Sequence, residues 1–455
     1  MVTIDGLTDD EQRTLNRLVG QLKAKRSRNE LRSGFMDAKH VLTRIPPTVP
    51  DYIRDLGIVL GWPAKAVETL ARRAKLDGFS LPGADLAAYG IDRILDANDY
   101  VRESRIHHLA SLEHGPAFLV ATAGGMGEPD ALVTRRSALD GTGTWSVRMR
   151  HLDDFLSVVE WERDEPSEFN LYLPGVTILV SDGKVQNRSP HRLPRIPVEP
   201  LVYRARDGRP FGSSRITRPI MSITKSAIRT IMRSEGTADF YSAPIIALLG
   251  ASEDTFGGSP RLRMLMSNMF GIPDDEEAPA GQERVDMKQI SQASQEPHVK
   301  QLEVWAQLFA AEASIPVSSL GIGMTQANPT SAESYLASRE DLIDEAEDAT
   351  DGWATAHVRT IQNAWMIAAG ENEIPADLLR LQPNYRDPRH PSKASEADWF
   401  TKVGSIIPWI AETDTALDLI GVRPAIAERL RADRARNSAT SDMALLAAAI
   451  GRQGG

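Results

Sequence analysis

The stretch IPVSSLGIGMTQANPTSAESYLASREDLIDEAEDATDGWATAHVRTIQNAWMIAAG, residues 315–370, decides the fold of this chain. It opens with a segment rich in Pro, Gly, Asn and Ser, residues 315–329, for which neither helix nor strand is predicted. Thr330 then takes the N-cap position of a helix, with Glu333 three residues later. This pair forms a capping box, in which each side chain binds a free backbone N–H of the first turn. Apolar residues recur at helical spacing from there to Gly370, a residue type that commonly ends helices.

The helix predicted after Thr330 is unusually long. It holds about 39 residues, which at 1.5 Å per residue would span about 60 Å. Helices of three to four turns are the norm in globular proteins. Gly352, which follows Asp351 in the middle of this helix, is its weak point, and we expect a kink there. The sequence therefore places a polar loop directly before a very long, kinkable helix.

The composition indicates a large intracellular protein. The chain has 455 residues, no cysteine and a formal net charge of −10. Such a length supports two or three domains, and the lack of cysteine excludes disulfides, thiolate metal sites and cysteine nucleophiles. The N-terminus lacks the features of a signal peptide, and no apolar run approaches about 18 residues, so we expect no membrane span. The acidic balance argues against tight general binding to nucleic acid, although not against contact with it.

Charge is distributed unevenly along the chain. Arginine and lysine dominate residues 188–233. One explanation is contact with DNA phosphates; the other, which we favour, is a solvated face or pairing with acidic groups of a neighbouring subunit. Asp and Glu dominate residues 340–351. We interpret this acidic run as the wet side of a helix and leave open whether it faces a channel or another subunit.

The order of patterns predicts an α+β fold. Helical spacing covers residues 7–25, 63–77 and 86–112. Short apolar runs between turn signals then predict antiparallel strands at residues 117–121, 131–134, 145–149, 156–161, 169–173 and 176–180. A proline-marked connection follows at residues 194–200. Two more helices, residues 219–233 and 299–313, flank an irregular insert with one strand at residues 244–249, and the second of them leads into the opening stretch.

No catalytic residue, cofactor or metal site is predicted. The glycines of residues 124–127 follow an apolar strand, but Glu128 and Pro129 come where a phosphate loop needs a helix N-terminus, so we interpret this segment as a hairpin turn. The spacing of His107, His108 and His114 fits no usual metal site, and we expect these histidines to be satisfied or exposed. Motifs of serine hydrolases, P-loop enzymes and zinc proteases do not occur.

The order of segments resembles the portal proteins of tailed bacteriophages, of the type common in long-tailed phages of actinobacteria. The resemblance covers nearly the whole chain. It is carried by GWPAKAVETLARR (61–73), GRPFGSSRI (208–216), SIPVSSLG (314–321) followed by NPTSAE (328–333), YRDP (385–388) and IPW (407–409).

This resemblance implies the phage portal fold and its parts. The wing would comprise residues 1–211 and 371–440, the stem helices 212–235 and 296–314, the clip 236–295, the tunnel loop 315–329, the long kinked helix 330–370, and a short crown or C-terminal tail 441–455. It implies a homo-oligomeric ring, usually of twelve subunits, at one capsid vertex, assembled in the host cytoplasm. The implied partners are double-stranded DNA, the terminase large subunit, major capsid and scaffolding proteins, and a head–tail adaptor, with no membrane, cofactor or enzyme activity.

Two alternatives stay open at this point. One is a soluble nucleotide-binding enzyme that uses the loop at residues 124–127. The other is a different ring-forming virion component such as an adaptor, although adaptors are usually much shorter.

The chemistry of the implied tunnel loop suits a conduit. Residues 315–329 contain no Lys or Arg. Each phosphate that a cation neutralises releases counterions and adds affinity, which would resist sliding of DNA. The loop instead offers uncharged polar side chains, and we expect Gln326 and Asn328 to lie at the narrowest point. The implied DNA-contacting residues are Ser318, Ser319, Thr325, Gln326 and Asn328.

Overall fold

The computed structural model describes residues 3–40, 55–241, 294–321, 339–389 and 393–413, positions 42 and 53, and some positions between 416 and 436. It also gives the backbone of three strands at residues 245–249, 269–272 and 286–290. The chain divides into two compact units, Met1–Pro388 and Arg389–Gly455.

Capping side chains and local backbone conformation set the ends of several helices described in the first unit. They are α1 (Asp9–Met36), α2 (Trp62–Arg73), α3 (Ile91–Ala97), α4 (Tyr100–His114), α5 (Arg218–Tyr241), α6 (Glu296–Glu312) and α7 (Glu340–Ala369). Thr8 and Glu11 form a capping box at the start of α1. The single helical stretch predicted over residues 86–112 is wrong, because Asp99 takes a left-handed backbone (φ 47°) that separates α3 from α4. No helix of the described residues is long and apolar enough to span a membrane.

The strands in the described part of the chain form four sheets. They are β1 (Leu76–Ser80), β2 (Pro116–Ala123), β3 (Ala131–Ser137), β4 (Gly141–Ser146), β5 (His151–Glu162), β6 (Glu165–Leu173), β7 (Val176–Ser181), β8 (Lys184–Pro190), β9 (Val198–Val202), β10 (Ile245–Leu249), β11 (Met269–Ile272), β12 (Asp286–Ile290) and β13 (Gln382–Tyr385). Strands β4 to β8 form an antiparallel meander. The other sheets have the orders β3-β2-β9, β11-β10-β12 and β1-β13.

Three strand predictions need correction. The strand predicted at residues 145–149 ends at Ser146. The proline-marked connection at residues 194–200 contains the start of β9, in which Pro200 lies opposite Phe118 of β2. Because β9 is an edge strand, the missing N–H of a proline is tolerated there. The insert between α5 and α6 is not irregular throughout, since it contributes β10, β11 and β12.

Two hydrophobic clusters organise the first unit. In one, α1 packs through Leu15, Leu18 and Leu22 on the meander of β4 to β8. In the larger one, Trp353 of α7 is fully buried among side chains from α2, α4, α5, α6 and β2. Helix α7 lies against β2 and β9, so the long helix is the central element of this core.

The long helix is shorter than predicted. It has 30 residues and begins at Glu340, after Arg339, whose backbone (φ −122°, ψ 4°) is not helical. The carboxylates of Glu340 and Asp341 favour a start there, because negative side chains stabilise a helix N-terminus. The helix continues without interruption through Gly352 and ends at Gly370 in a left-handed conformation, as predicted. Thr330 and Glu333 lie outside the described residues, so the capping box stays a prediction. The kink at Gly352 stays a prediction as well, although the helix is unbroken at that residue.

The described part of the second unit is helical. It contains α8 (Lys393–Ile406) and a 3-10 turn at Pro408–Glu412. Ile406 and Trp409 are exposed. The boundary between the units lies inside the segment 371–440, which the resemblance assigned to one part.

Candidate functional site

Helices α5 and α6 pack against each other as an antiparallel pair. The Thr217 hydroxyl donates to Glu312 at 3.2 Å near one end, and the Trp305 indole N–H donates to Thr230 at 3.2 Å further along. Residues further along α5 therefore contact residues earlier in α6, so the two helices run in opposite directions. The strands β10 to β12 come between these two helices in sequence.

One buried arginine fastens the base of this pair to the rest of the unit. Arg215, just before α5, is only 3% exposed. Its guanidinium donates to the carbonyl of Ala66 at the Nε position and to the carbonyl of Ala313, after α6, at Nη2. It also donates to the hydroxyl of Tyr203 at 3.0 Å. One side chain thus links the first half of α2, the end of α6 and the segment that precedes α5.

The counter-charge for this arginine comes from α7. Glu345 Oε1 lies 2.6 Å from Arg215 Nη1 and accepts a hydrogen bond from the Tyr203 hydroxyl. Arg204 forms a second ion pair with the same carboxylate. Burial opposes ionisation of Glu345, but the charge and hydrogen bonds of Arg215 outweigh it, so the pKa of Glu345 is below its ordinary value. We call Arg215, Glu345, Tyr203 and the Ala313 carbonyl the clasp.

A buried chain of hydrogen bonds holds the middle of α7. The Tyr100 hydroxyl lies 2.8 Å from His357 Nδ1, and His357 Nε2 lies 2.9 Å from His108 Nε2. His108 Nδ1 lies 2.9 Å from the Ala74 carbonyl, and the His108 ring stacks on Trp353. We call Tyr100, His357, His108 and the Ala74 carbonyl the histidine chain.

Both rings of the histidine chain are neutral. Since a carbonyl only accepts, His108 Nδ1 carries the proton and its Nε2 accepts from His357 Nε2–H. The remaining nitrogen of His357 then accepts from the Tyr100 hydroxyl, so every polar atom is satisfied. Burial lowers the pKa of His108 to about 3, and burial together with His108 holds the pKa of His357 well below its ordinary value. Protonating both rings would place their two Nε2–H groups face to face.

The structure places part of the predicted DNA-contacting set. Val317–Leu320 forms a 3-10 turn, so the prediction of no helix at the start of residues 315–329 is wrong. Val317 and Leu320 pack on the large core, which drives this turn, while Ser318 is exposed and Ser319 is half-buried. The structure does not bring Ser318 or Ser319 together with the clasp by any hydrogen bond between described residues. Thr325, Gln326 and Asn328 lie outside the described residues.

The two charge runs pair with each other inside the chain. Arg204 and Arg215 of the basic run bind Glu345 of the acidic run. Arg195 forms a 2.7 Å ion pair with Glu199 within the basic run. Our preferred explanation for the basic run, a solvated face or pairing with another subunit, is therefore wrong for Arg195 and Arg215, whereas Arg204 pairs with Glu345 and keeps a half-exposed side chain. Interpreting the whole acidic run as a wet face is likewise wrong for Glu345.

The turn predicted at residues 124–127 agrees with the structure. Residues 124–127 lie in the turn between the antiparallel strands β2 and β3. The carboxylate of Glu128 accepts the Gly125 N–H at 2.7 Å, so an acidic group occupies the place that a phosphate would need. The hairpin is confirmed. Within the described ranges, no group of three or more His, Asp or Glu side chains is arranged to hold a metal ion.

Comparison with known families identifies the chain. Residues 16–409 match the family described as phage portal protein, SPP1 Gp6-like. The chain belongs to this portal protein family. The predicted resemblance and the α+β portal fold are confirmed, and the portal protein is a structural component of the virion.

Similar proteins include the portal proteins of two mycobacterial phages and chains of a gene transfer agent particle. The portal protein of Mycobacterium phage L5 is 25% identical over 387 residues, 82% of this chain and 77% of the relative. That of Mycobacterium phage D29 is 25% identical over 397 residues, 82% and 78% of the two chains. Solved structures include the neck of an empty gene transfer agent particle, with 13% identity, a TM-score of 0.45 and coverage of 80% of this chain and 91% of that chain. A chain in the virion of the native particle gives 13% identity, a TM-score of 0.44 and coverage of 86% and 99%.

Sequence reasoning missed the clasp and the histidine chain. Its only signals were an arginine in the quoted segment 208–216 and a histidine within the apolar spacing of α7. Neither signal names a partner, because both contacts join residues far apart in the chain.

Proposed function

We propose that this portal protein assembles into a ring of twelve subunits at one capsid vertex and forms the channel for DNA packaging and ejection. The single observation that carries the proposal is the clasp. In the clasp, Arg215 binds the Ala313 carbonyl, which precedes residues 315–329, and Glu345 of α7, which follows them. Residues 315–329 contain no Lys or Arg. Family membership supports the same role.

In this proposal each part has a place in the ring. Residues 212–235 and 296–314 are the stem, which holds α5 and α6, and residues 236–295 are the clip. The clip faces the terminase large subunit during packaging and the head–tail adaptor afterwards. Residues 1–211 and 371–440 form the wing, which meets the major capsid and scaffolding proteins, and residues 441–455 form a short crown or tail. Assembly takes place in the host cytoplasm.

The loop would work as a collar anchored at both ends. Ala313, two residues before it, accepts a hydrogen bond from Arg215, and Glu345, near the start of α7, accepts the same guanidinium. Movement of the loop with passing DNA is therefore confined between fixed points. The lack of cations within the loop lets double-stranded DNA slide instead of being held.

We infer that the chain acts as a conduit and not as an enzyme. Among the described residues, the loop that an enzyme would use, residues 124–127, is closed by Glu128. Calorimetry with ATP is the direct check on the enzyme alternative, and specific nucleotide binding that depends on Gly125 would contradict our inference.

Native mass spectrometry and negative-stain imaging of the purified protein test the ring. We expect closed rings with a central hole and a mass of twelve copies of the 49.9 kDa chain. Thirteen copies in isolation would still support a portal ring. A monomer or dimer under every condition, including the presence of scaffolding protein, would overturn the proposal.

A further inference from the structure

A cavity of about 390 Å³ lies away from the clasp and the histidine chain. One wall is the face of α1 that carries Lys25, Arg28 and Arg32, and another is the segment 208–213 with Arg209. The remaining lining comes from Leu22 and Asn29 of α1, His114 at the end of α4, Ala138, and the starts of β2 and β4. We call it the basic cavity.

The basic cavity gathers cations without a matching acid. Lys25, Arg28, Arg32 and Arg209 all line it, and no Asp or Glu does. Across the described parts of the chain, none of these four side chains forms an ion pair. Arg188, elsewhere in the same unit, is by contrast paired with Glu11. Four like charges beside one cavity repel one another unless an anion lies between them.

Arg32 has a buried donor without an acceptor and a lowered pKa. Its Nη1 donates to the carbonyl of His114 at 3.0 Å, while its buried Nε–H has no acceptor within the described chain. Burial, followed by the charge of Arg28, lowers the pKa of Arg32 to about 10. Burial lowers the pKa of Lys25 as well, with Arg28 again contributing. A buried donor of this kind is normally hydrogen-bonded.

The walls and the volume set the class of ligand. Small-molecule binding sites typically have volumes of about 300–1,000 Å³ and a few convergent polar groups. Guanidinium groups present planar donor pairs that match phosphate oxygens, and a phosphate ester carries up to two negative charges where a carboxylate carries one. Phe118 and Phe211 add an apolar wall, and Lys25 Nζ lies 5.5 Å from the Phe211 ring centre.

We propose that the basic cavity is a binding site for phosphate groups, held by Arg28, Arg32, Arg209 and Lys25. The phosphate belongs either to a free phosphorylated small molecule or to nucleic acid, since both present the same oxygens. None of residues 315–321 lines this cavity, and the proposal does not depend on the proposed channel role.

Titration of the intact chain tests the proposal. Sodium pyrophosphate is the probe for free phosphate and a short 5′-phosphorylated oligonucleotide is the probe for nucleic acid, each followed by calorimetry and by Tm at constant ionic strength against sodium chloride. We expect one or both probes to bind and to raise Tm. The double variant Arg28→Gln/Arg209→Gln, at two exposed positions, should bind at least tenfold more weakly. Arg105→Gln, an exposed position on α4 outside the cavity, is the matched control and should bind as the wild type does.

The possible results distinguish a free phosphate from nucleic acid, and both from a failure of the proposal. Binding of pyrophosphate supports a free phosphate, and binding of the oligonucleotide alone supports nucleic acid. No response to either probe, or equal affinity in the double variant, overturns the proposal. If neither probe binds and the double variant no longer forms rings, the occupant is an acidic segment of a second copy and the phosphate site is wrong. Should circular dichroism show that the double variant is unfolded, Lys25→Met takes its place with the same expected loss.

Discussion

Glu345 Oε1 lies 2.6 Å from Arg215 Nη1, and both side chains are buried. Arg215 stands immediately before α5 and Glu345 in the second turn of α7, so this ion pair joins the two ends of a long excursion of the chain. The excursion includes the α5–α6 pair, the strands β10 to β12 and the uncharged loop. This ion pair therefore ties the chain just before α5 to the start of α7 within the large core.

Loss of the clasp arginine should destabilise the fold severely. Arg215→Met leaves Glu345 buried without its main counter-charge, and we expect the free energy of unfolding to fall by about 3–5 kcal/mol in urea denaturation. The double variant Arg215→Met/Glu345→Leu should recover part of this loss. The control is Arg386→Met, which breaks a more exposed ion pair with Asp77 and should cost about 1 kcal/mol or less. Equal losses in both single variants would mean that the clasp has no special weight.

Stability should fall in mild acid because of the histidine chain. The folded state keeps His108 neutral to about pH 3, whereas an unfolded histidine binds a proton below about pH 6.5. The unfolded state thus holds more protons between these values, and each such histidine lowers the free energy of unfolding by about 1.4 kcal/mol per pH unit as pH falls. The stabilisation is fully present above pH 6.5.

Two variants isolate this effect in urea denaturation at several pH values. His357→Gln removes one titrating ring, so we expect a shallower dependence between pH 6 and 4. Tyr100→Phe removes the hydroxyl that bonds to His357 but no titrating ring, and should lower stability while keeping the wild-type slope. Unchanged slope in His357→Gln would show that His357 is not kept neutral by the fold.

Substitution of Gly352 tests whether this glycine lowers the stability of the long helix. An added Cβ there would lie 3.6 Å from the Val202 carbonyl, an ordinary contact. Gly352→Ala should therefore raise the free energy of unfolding by about 0.5–1 kcal/mol. Gly212→Ala is the opposite case, because its Cβ would lie 2.0 Å from the Tyr203 carbonyl at a positive φ, and we expect it to destabilise the protein strongly. If the helix kinks during packaging, Gly352→Ala should also slow packaging.

A cation in the loop should hinder DNA passage. Gln326→Lys would add one positive charge per subunit to the ring, and each phosphate it neutralises adds affinity that resists sliding. We expect packaging measured in a reconstituted motor assay to slow or stall, more so at low salt. Gln326→Leu, which is similar in size and uncharged, is the control. Equal packaging rates for both variants would argue against direct contact of this residue with DNA.

Much of the fold was predictable because its signals are local. The end of α7 at Gly370, the turn between β2 and β3, and the strands β5 to β7 follow from glycine conformation, turn residues and short apolar runs. The family resemblance was also confirmed, because it depends on the order of short motifs. Edge strand β9 was missed because Pro200 masks it in sequence, and only its pairing with β2 reveals it.

The sequence alone thus determined the α+β class, the portal family and a loop without cations, since composition and short-range pattern carry all three. Only the tertiary structure decided which charges pair and which histidines meet. An arginine run is compatible with DNA, solvent, another subunit or its own chain. Arg215 pairs with Glu345 because folding buries both side chains next to each other. Leaving either charge without a partner there would cost several kcal/mol.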